Sequence, residues 1–245
     1  MKKAYEDCIV ERDVWVDYKF QAHICTNEKD IGKSCVVQNV PVRRLTDGEV
    51  NLCRRYFKDQ IHYDKVWLVN DRARSLGKKY KNTSIVRFPY VFLPALWSKD
   101  FSRDADVSAV ANWIHEMTHV WQFSVGGAGF DRGNEEGDAS TFDRENQQFV
   151  IGRYALDPKW IKRFCFHNSE QQGDLIALHY QMTVDQGFRV PRIGLWPLLE
   201  YAVEKDFLTG DRGVDFLPRK IAKPPLMQDG YFDLVKQAKI RWGIK

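Results

Sequence analysis

The chain has 245 residues, with 37 Lys+Arg against 33 Asp+Glu for a formal net charge of +4, and it is 44% hydrophobic and 13% aromatic. That much apolar side chain builds a packed core and excludes global disorder, while apolar stretches such as residues 90–96 fall far short of the roughly 18 residues that span a bilayer. The positive charge is scattered, with short basic pairs such as Arg43-Arg44 and Lys78-Lys79, which argues against nucleic acid as a partner.

At the start of the chain Glu6, Asp7, Glu11 and Arg12 stand where a secretory leader needs an unbroken apolar run. Synthesis in the cytoplasm without a cleaved signal is therefore expected. The five cysteines, at positions 8, 25, 35, 53 and 165, form no C-x-x-C pair, which argues against a zinc ribbon or a thioredoxin-like motif and for reduced thiols.

Residues 14–25 alternate apolar and polar side chains for much of their length, as a half-buried strand does. Thr46 followed by Glu49 is a capping box, and Val50, Cys53 and Phe57 then recur at helical spacing, so a helix is expected over 47–58. Two β-rich runs follow at 65–70 and 84–93, separated by a basic loop around 76–82. Val107, Val110, Ile114, Met117 and Trp121 repeat every three or four residues and predict a core helix over 104–123, stopped by Gly126-Gly127 and anchored by Trp113 and Trp121. Beyond it lies a glycine- and acid-rich stretch, read as a long loop that could cover a substrate cleft. Asn168 and Gln171 form a second capping box that opens a helix reaching about residue 185, and the tail carries one more helical run, LLEYAVEKDFL.

The chemistry concentrates on IHEMTHVWQ. His115 and His119 are four residues apart in a helix, so their imidazoles project about 40° apart on one face, one turn apart along the axis, and both can reach one metal ion. Glu116 stands beside the first histidine, as the general base does in the H-E-x-x-H arrangement of zinc hydrolases. Gln122 and Val125 occupy the positions where the extended metzincin pattern requires glycine and histidine, so the third ligand comes from elsewhere. Glu170, His167, His179 and acids of the glycine-rich loop such as Asp138 are the candidates. Glu170 is favoured because it lies in the first turn of the second helix with Asp174 one turn on, placed to accept the other ring N–H of a ligand histidine. His179 is nine residues after Glu170 and points to the opposite side of that helix, and His167 is the second choice.

The pair HEMTH, 115–119, with the downstream E-x-x-x-D of Glu170 and Asp174, resembles the gluzincin branch of zinc metallopeptidases. More narrowly, IHEMTHVWQ with SEQQGDLIALHY is similar to bacterial metallopeptidase-like domains associated with type VI secretion and contractile injection, the vgr-related proteins among them. The resemblance is clearest over residues 45–180. It implies an α+β, zincin-like core with the H-E-x-x-H helix, a second ligand-bearing helix and a small, mainly antiparallel sheet. It also implies Zn²⁺ held by His115, His119 and Glu170, with Glu116 as catalytic base and Asp174 behind a ligand. The domain organisation expected is an extension over 1–44, the core over 45–190 and a helical tail over 191–245.

The activity expected is hydrolysis of a peptide or protein amide by a zinc-activated water, in a secreted effector or toxin with a secretion-machine component or an immunity protein as partner. Two other readings stand beside it: a zinc amidase acting on peptidoglycan stems, and a non-catalytic, metal-stabilised part of an injection apparatus. Tyr180, Tyr154 and Arg153 are candidates for holding the oxyanion. Gly32-Lys33-Ser34 is no P-loop, since Asn27 replaces the required glycine, and Cys165 near His167 reads as a buried thiol rather than a catalytic dyad.

Overall fold

The computed structural model describes residues 19–24, 36–70, 84–127, 142–143, 148–149, 156, 163–218 and 231–244. The chain divides into two compact units, Met1–Val50 with His62–Arg103, and Asn51–Ile61 with Asp104–Lys245. The architecture is α+β with helices predominating. Among the described residues, no helix is long and apolar enough to cross a membrane.

The first unit is built on a sheet of β1 (Lys19–Ile24), β2 (Val36–Arg44), β3 (Trp67–Val69), β4 (Ile85–Arg87) and β5 (Tyr90–Phe92), in the order β1-β2-β3-β5-β4. Strand β2 runs antiparallel to both β1 and β3, and β4 is antiparallel to β5, but β3 and β5 are parallel, with Trp67 opposite Tyr90. The sheet is therefore mixed. The β-rich run at 84–93 folds back at Phe88-Pro89 into two strands, because proline has no N–H to give to a ladder. Val42 and Val69 are buried together, with Trp67, Tyr90 and Phe92 packed against them.

Helix α1 (Asp47–Phe57) opens with the expected capping box: Glu49 N–H donates to Thr46 Oγ1 at 3.2 Å, and Thr46 N–H to Glu49 Oε2 at 2.8 Å. The Glu49 carboxylate is buried and fully committed, accepting also from the Arg43 guanidinium at 2.7 and 2.8 Å and from Phe101 N–H at 2.8 Å. A buried charge persists only with such partners.

The second unit is helical. Helix α2 (Val107–Gly126) begins at residue 107 because Asp106 caps it, accepting from Ser108 and Ala109 N–H, and it ends where Gly127 turns to a φ of 62°. Trp113 and Trp121 are fully buried on it, as their spacing suggested. Trp121 meets Phe207 at 5.1 Å edge to face, Phe164 stacks on Phe207 at 4.2 Å, and the indole N–H of Trp121 donates to Arg212 O at 2.8 Å. Such aromatic burial with its polar handle satisfied fixes α2 in place. Helix α3 (Ser169–Val184) carries the second capping box, between Asn168 and Gln171. The tail run is helical from Trp196–Leu199 into the π-helix Glu200–Phe207, and a helix not foreseen in the sequence, Tyr231–Arg241, follows.

Candidate metal centre

One turn of α2 brings the Nε2 atoms of His115 and His119 to 3.1 Å from each other, with the ring centroids 4.9 Å apart and the planes at 78°. Glu170 is the second residue of α3, and its Oε2 lies 3.2 Å from each of those nitrogens. Three donor atoms from two helices thus converge on one point. Tetrahedral ligands at the usual zinc distances are separated from one another by roughly 3.3 Å, so this donor set fits a zinc ion. Among the described residues these are the three whose ligand atoms group in this way.

The convergence governs protonation. Burial pushes the Glu170 carboxyl up, but hydrogen bonds from His115 and His119 outweigh it and hold the group well below the usual carboxylate range. Burial drives His115 down, yet hydrogen bonds to Asp174 and Glu170 and the nearby charge of Glu116 reverse this and raise its pKa to about 10. Glu116 itself is buried beside the site.

No family model matches the chain. It is 31% identical over 146 residues, 56% of its length, to the type VI secretion system spike protein VgrG2b of Pseudomonas aeruginosa, and it spans 13% of the length of that protein. The chain is thus similar in sequence to part of VgrG2b. Among solved structures, the effector domain of Pseudomonas aeruginosa VgrG2b is similar at a TM-score of 0.45 and 26% identity, over 60% of this chain and 77% of that one.

Each of the two histidines is held from behind. His115 Nδ1 is 2.9 Å from Asp174 Oδ1, one helical turn after Glu170. His119 Nδ1 is 2.8 Å from Gln122 Oε1, and the Gln122 amide continues to Gln172 on α3. Between the two helices Gly173 leaves room for a ring: a Cβ there would come within 2.7 Å of His115 Cε1. Motif spacing does not mark Gln122, Gln172 and Gly173 as site residues. The available signal was two glutamines and a glycine on the inner faces of two helices otherwise read as apolar or ligand-bearing.

His179 is buried and its Nδ1 is paired with the Tyr56 hydroxyl at 3.2 Å, in keeping with a side chain that points away from the centre. His167 is buried after the short 3-10 turn Phe164–Phe166 and is not one of the three grouped ligands. Tyr180 is half-buried in the second half of α3, its hydroxyl pKa raised by burial and lowered in part by Arg55. Asp138, Arg153 and Tyr154 lie outside the described residues. Cys53 and Cys165 are both buried.

Proposed function

We propose that this protein is a zinc-dependent metallopeptidase of gluzincin type, acting as an effector delivered by a type VI secretion machine. The observation that carries the enzymatic half is the meeting of His115 Nε2, His119 Nε2 and Glu170 Oε2 within 3.2 Å, with Glu116 next in sequence to the first of them. The delivery half rests on the sequence likeness to a segment of VgrG2b, a type VI spike protein.

A zinc ion, when bound, supplies Lewis acidity toward a carbonyl oxygen and lowers the pKa of coordinated water to roughly 7. The chain supplies the rest. His115, His119 and Glu170 would hold the ion as its three protein ligands. Glu116 takes up a proton at its carboxylate and returns it to the leaving amine nitrogen, and its burial keeps that carboxylate from being solvated away from the task. Asp174 accepts the Nδ1–H of His115, which sets the ring's orientation and strengthens Nε2 as a donor. Tyr180, on the helix that carries Glu170, is the residue proposed to hold the oxyanion.

The test is a comparison of the parent with Glu116→Ala for bound zinc, for hydrolysis of a protein substrate against muropeptides, and for toxicity when expressed in a target compartment. Metal retained with hydrolysis and toxicity lost supports the reading. Undiminished hydrolysis by the variant overturns it, and cleavage of muropeptides alone favours the amidase.

A further inference from the structure

The second half of the His119 support is a chain of amides whose direction is fixed at its far end. Gln172 Nε2 donates to two backbone carbonyls, Phe164 O at 3.1 Å and Phe216 O at 2.9 Å. Carbonyl oxygens only accept, so the amide nitrogen of Gln172 must face them and its Oε1 must face the other way. That oxygen lies 2.9 Å from Gln122, whose Nε2 also donates to Ser169 O at 3.2 Å. Two acceptors again dictate which end of the amide is which, and Gln122 Oε1 is left facing His119 Nδ1 at 2.8 Å. Both glutamines are fully buried, so no water competes for these groups.

We infer that Gln122 and Gln172 are positioning residues that set the His119 tautomer, the polarity being transmitted from the Phe164 and Phe216 carbonyls to the ring. An acceptor at Nδ1 requires a proton on that nitrogen, which places the lone pair of the neutral ring on Nε2, the atom aimed at Glu170 and His115. The other tautomer sets the Nε2–H toward the metal position and Nδ1 against an oxygen lone pair. This inference rests on the metal reading above and adds the determinant of one ligand's readiness. Both glutamines act through His119.

Carboxylates are the usual partners of ligand histidines, but here one is excluded by the relay. Gln122→Glu keeps volume and keeps an acceptor at Nδ1, yet it faces its second oxygen toward Gln172 Oε1 and Ser169 O, both acceptors. Three substitutions, Gln122→Met, Gln122→Glu and Gln172→Met, are compared with the full-length parent for zinc affinity by chelator competition. The exchangeable imidazole N–H of His119 is followed by NMR in the cobalt-loaded proteins, and far-UV circular dichroism checks the fold.

Gln122→Met is expected to weaken zinc binding by about 10- to 100-fold and to lose the protected Nδ1–H resonance. Gln172→Met, which does not contact His119, is expected to weaken binding and speed exchange of the same proton, and Gln122→Glu to bind more weakly than the parent. Parent-like affinity and a parent-like N–H in Gln172→Met, or tighter binding by Gln122→Glu, overturns the relay while leaving the metal site standing. A parent that binds no zinc overturns the metal reading and this inference with it. Should Gln122→Met not fold, Gln122→Asn, which withdraws the acceptor by one methylene, carries the same expectation.

Discussion

Gly173 and the His115 ring occupy adjoining space: a side chain at residue 173 would come within 2.7 Å of Cε1, 2.8 Å of Nδ1 and 2.9 Å of Nε2. A glycine inside a helix costs about 1 kcal/mol relative to alanine, so by propensity alone Gly173→Ala ought to strengthen α3. The opposite is expected for the centre. The added methyl displaces the His115 ring from its place beside Glu170, and zinc affinity is expected to fall by more than tenfold while the helical content stays unchanged. Chelator competition beside circular dichroism checks it, and unaltered affinity would show that the close approach does not matter.

Glu116 is assigned proton transfer and no share in ligation. Glu116→Gln keeps the side chain's size and removes its basicity, so zinc content is expected to remain at that of the parent while peptide hydrolysis falls by roughly 10²- to 10⁴-fold. A variant that lost its metal and its activity together would move Glu116 into the ligand set.

The protonation of the centre gives a direction for pH. His115 is raised from an ordinary 6.5 to about 10, so in the metal-free protein its charge contributes stability that is complete below 6.5 and is lost as pH rises toward 10. Glu170 is depressed from an ordinary 4.5, so its charge contributes stability above that pH and loses it as pH falls through its folded value. A ligand imidazole must shed its proton, so zinc binding releases one from His115 at neutral pH. Zinc affinity is expected to rise by about tenfold or more per pH unit between pH 6 and 8, and a flat profile would contradict the coupling.

Trp121 ties α2 into the aromatic core from two residues beyond His119. Its ring is fully buried against Phe207, and its N–H is satisfied by Arg212 O. Trp121→Ala is expected to lower the unfolding free energy by about 3–5 kcal/mol in urea titrations of both the metal-free and the zinc-loaded protein. A cost under 1 kcal/mol would mean that the cavity closes by collapse or that α2 is held by other contacts.

What could be read before the structure was what is local. The two capping boxes, Thr46 with Glu49 and Asn168 with Gln171, occur where the sequence places them, because a cap involves residues three apart. The spacing of His115 and His119 fixes their shared face for the same reason. Strand β2 is not legible in the sequence because Gln38, Asn39 and Pro41 interrupt its alternation, and the parallel pairing of β3 with β5 depends on residues more than twenty apart. The roles of Gln172 and Gly173 arise only once α2 and α3 face each other, whereas Gln122 meets His119 within α2, three residues on. The sequence shows Gln122 as the residue that fails an extended motif, not as the partner of the histidine one turn before it.

The most direct test is a zinc-soaked crystal with anomalous diffraction measured on either side of the zinc absorption edge. A single peak is expected at roughly 2.0–2.2 Å from His115 Nε2, His119 Nε2 and a carboxylate oxygen of Glu170. A peak bound elsewhere, or one on the two histidines with Glu170 turned away, would contradict the account.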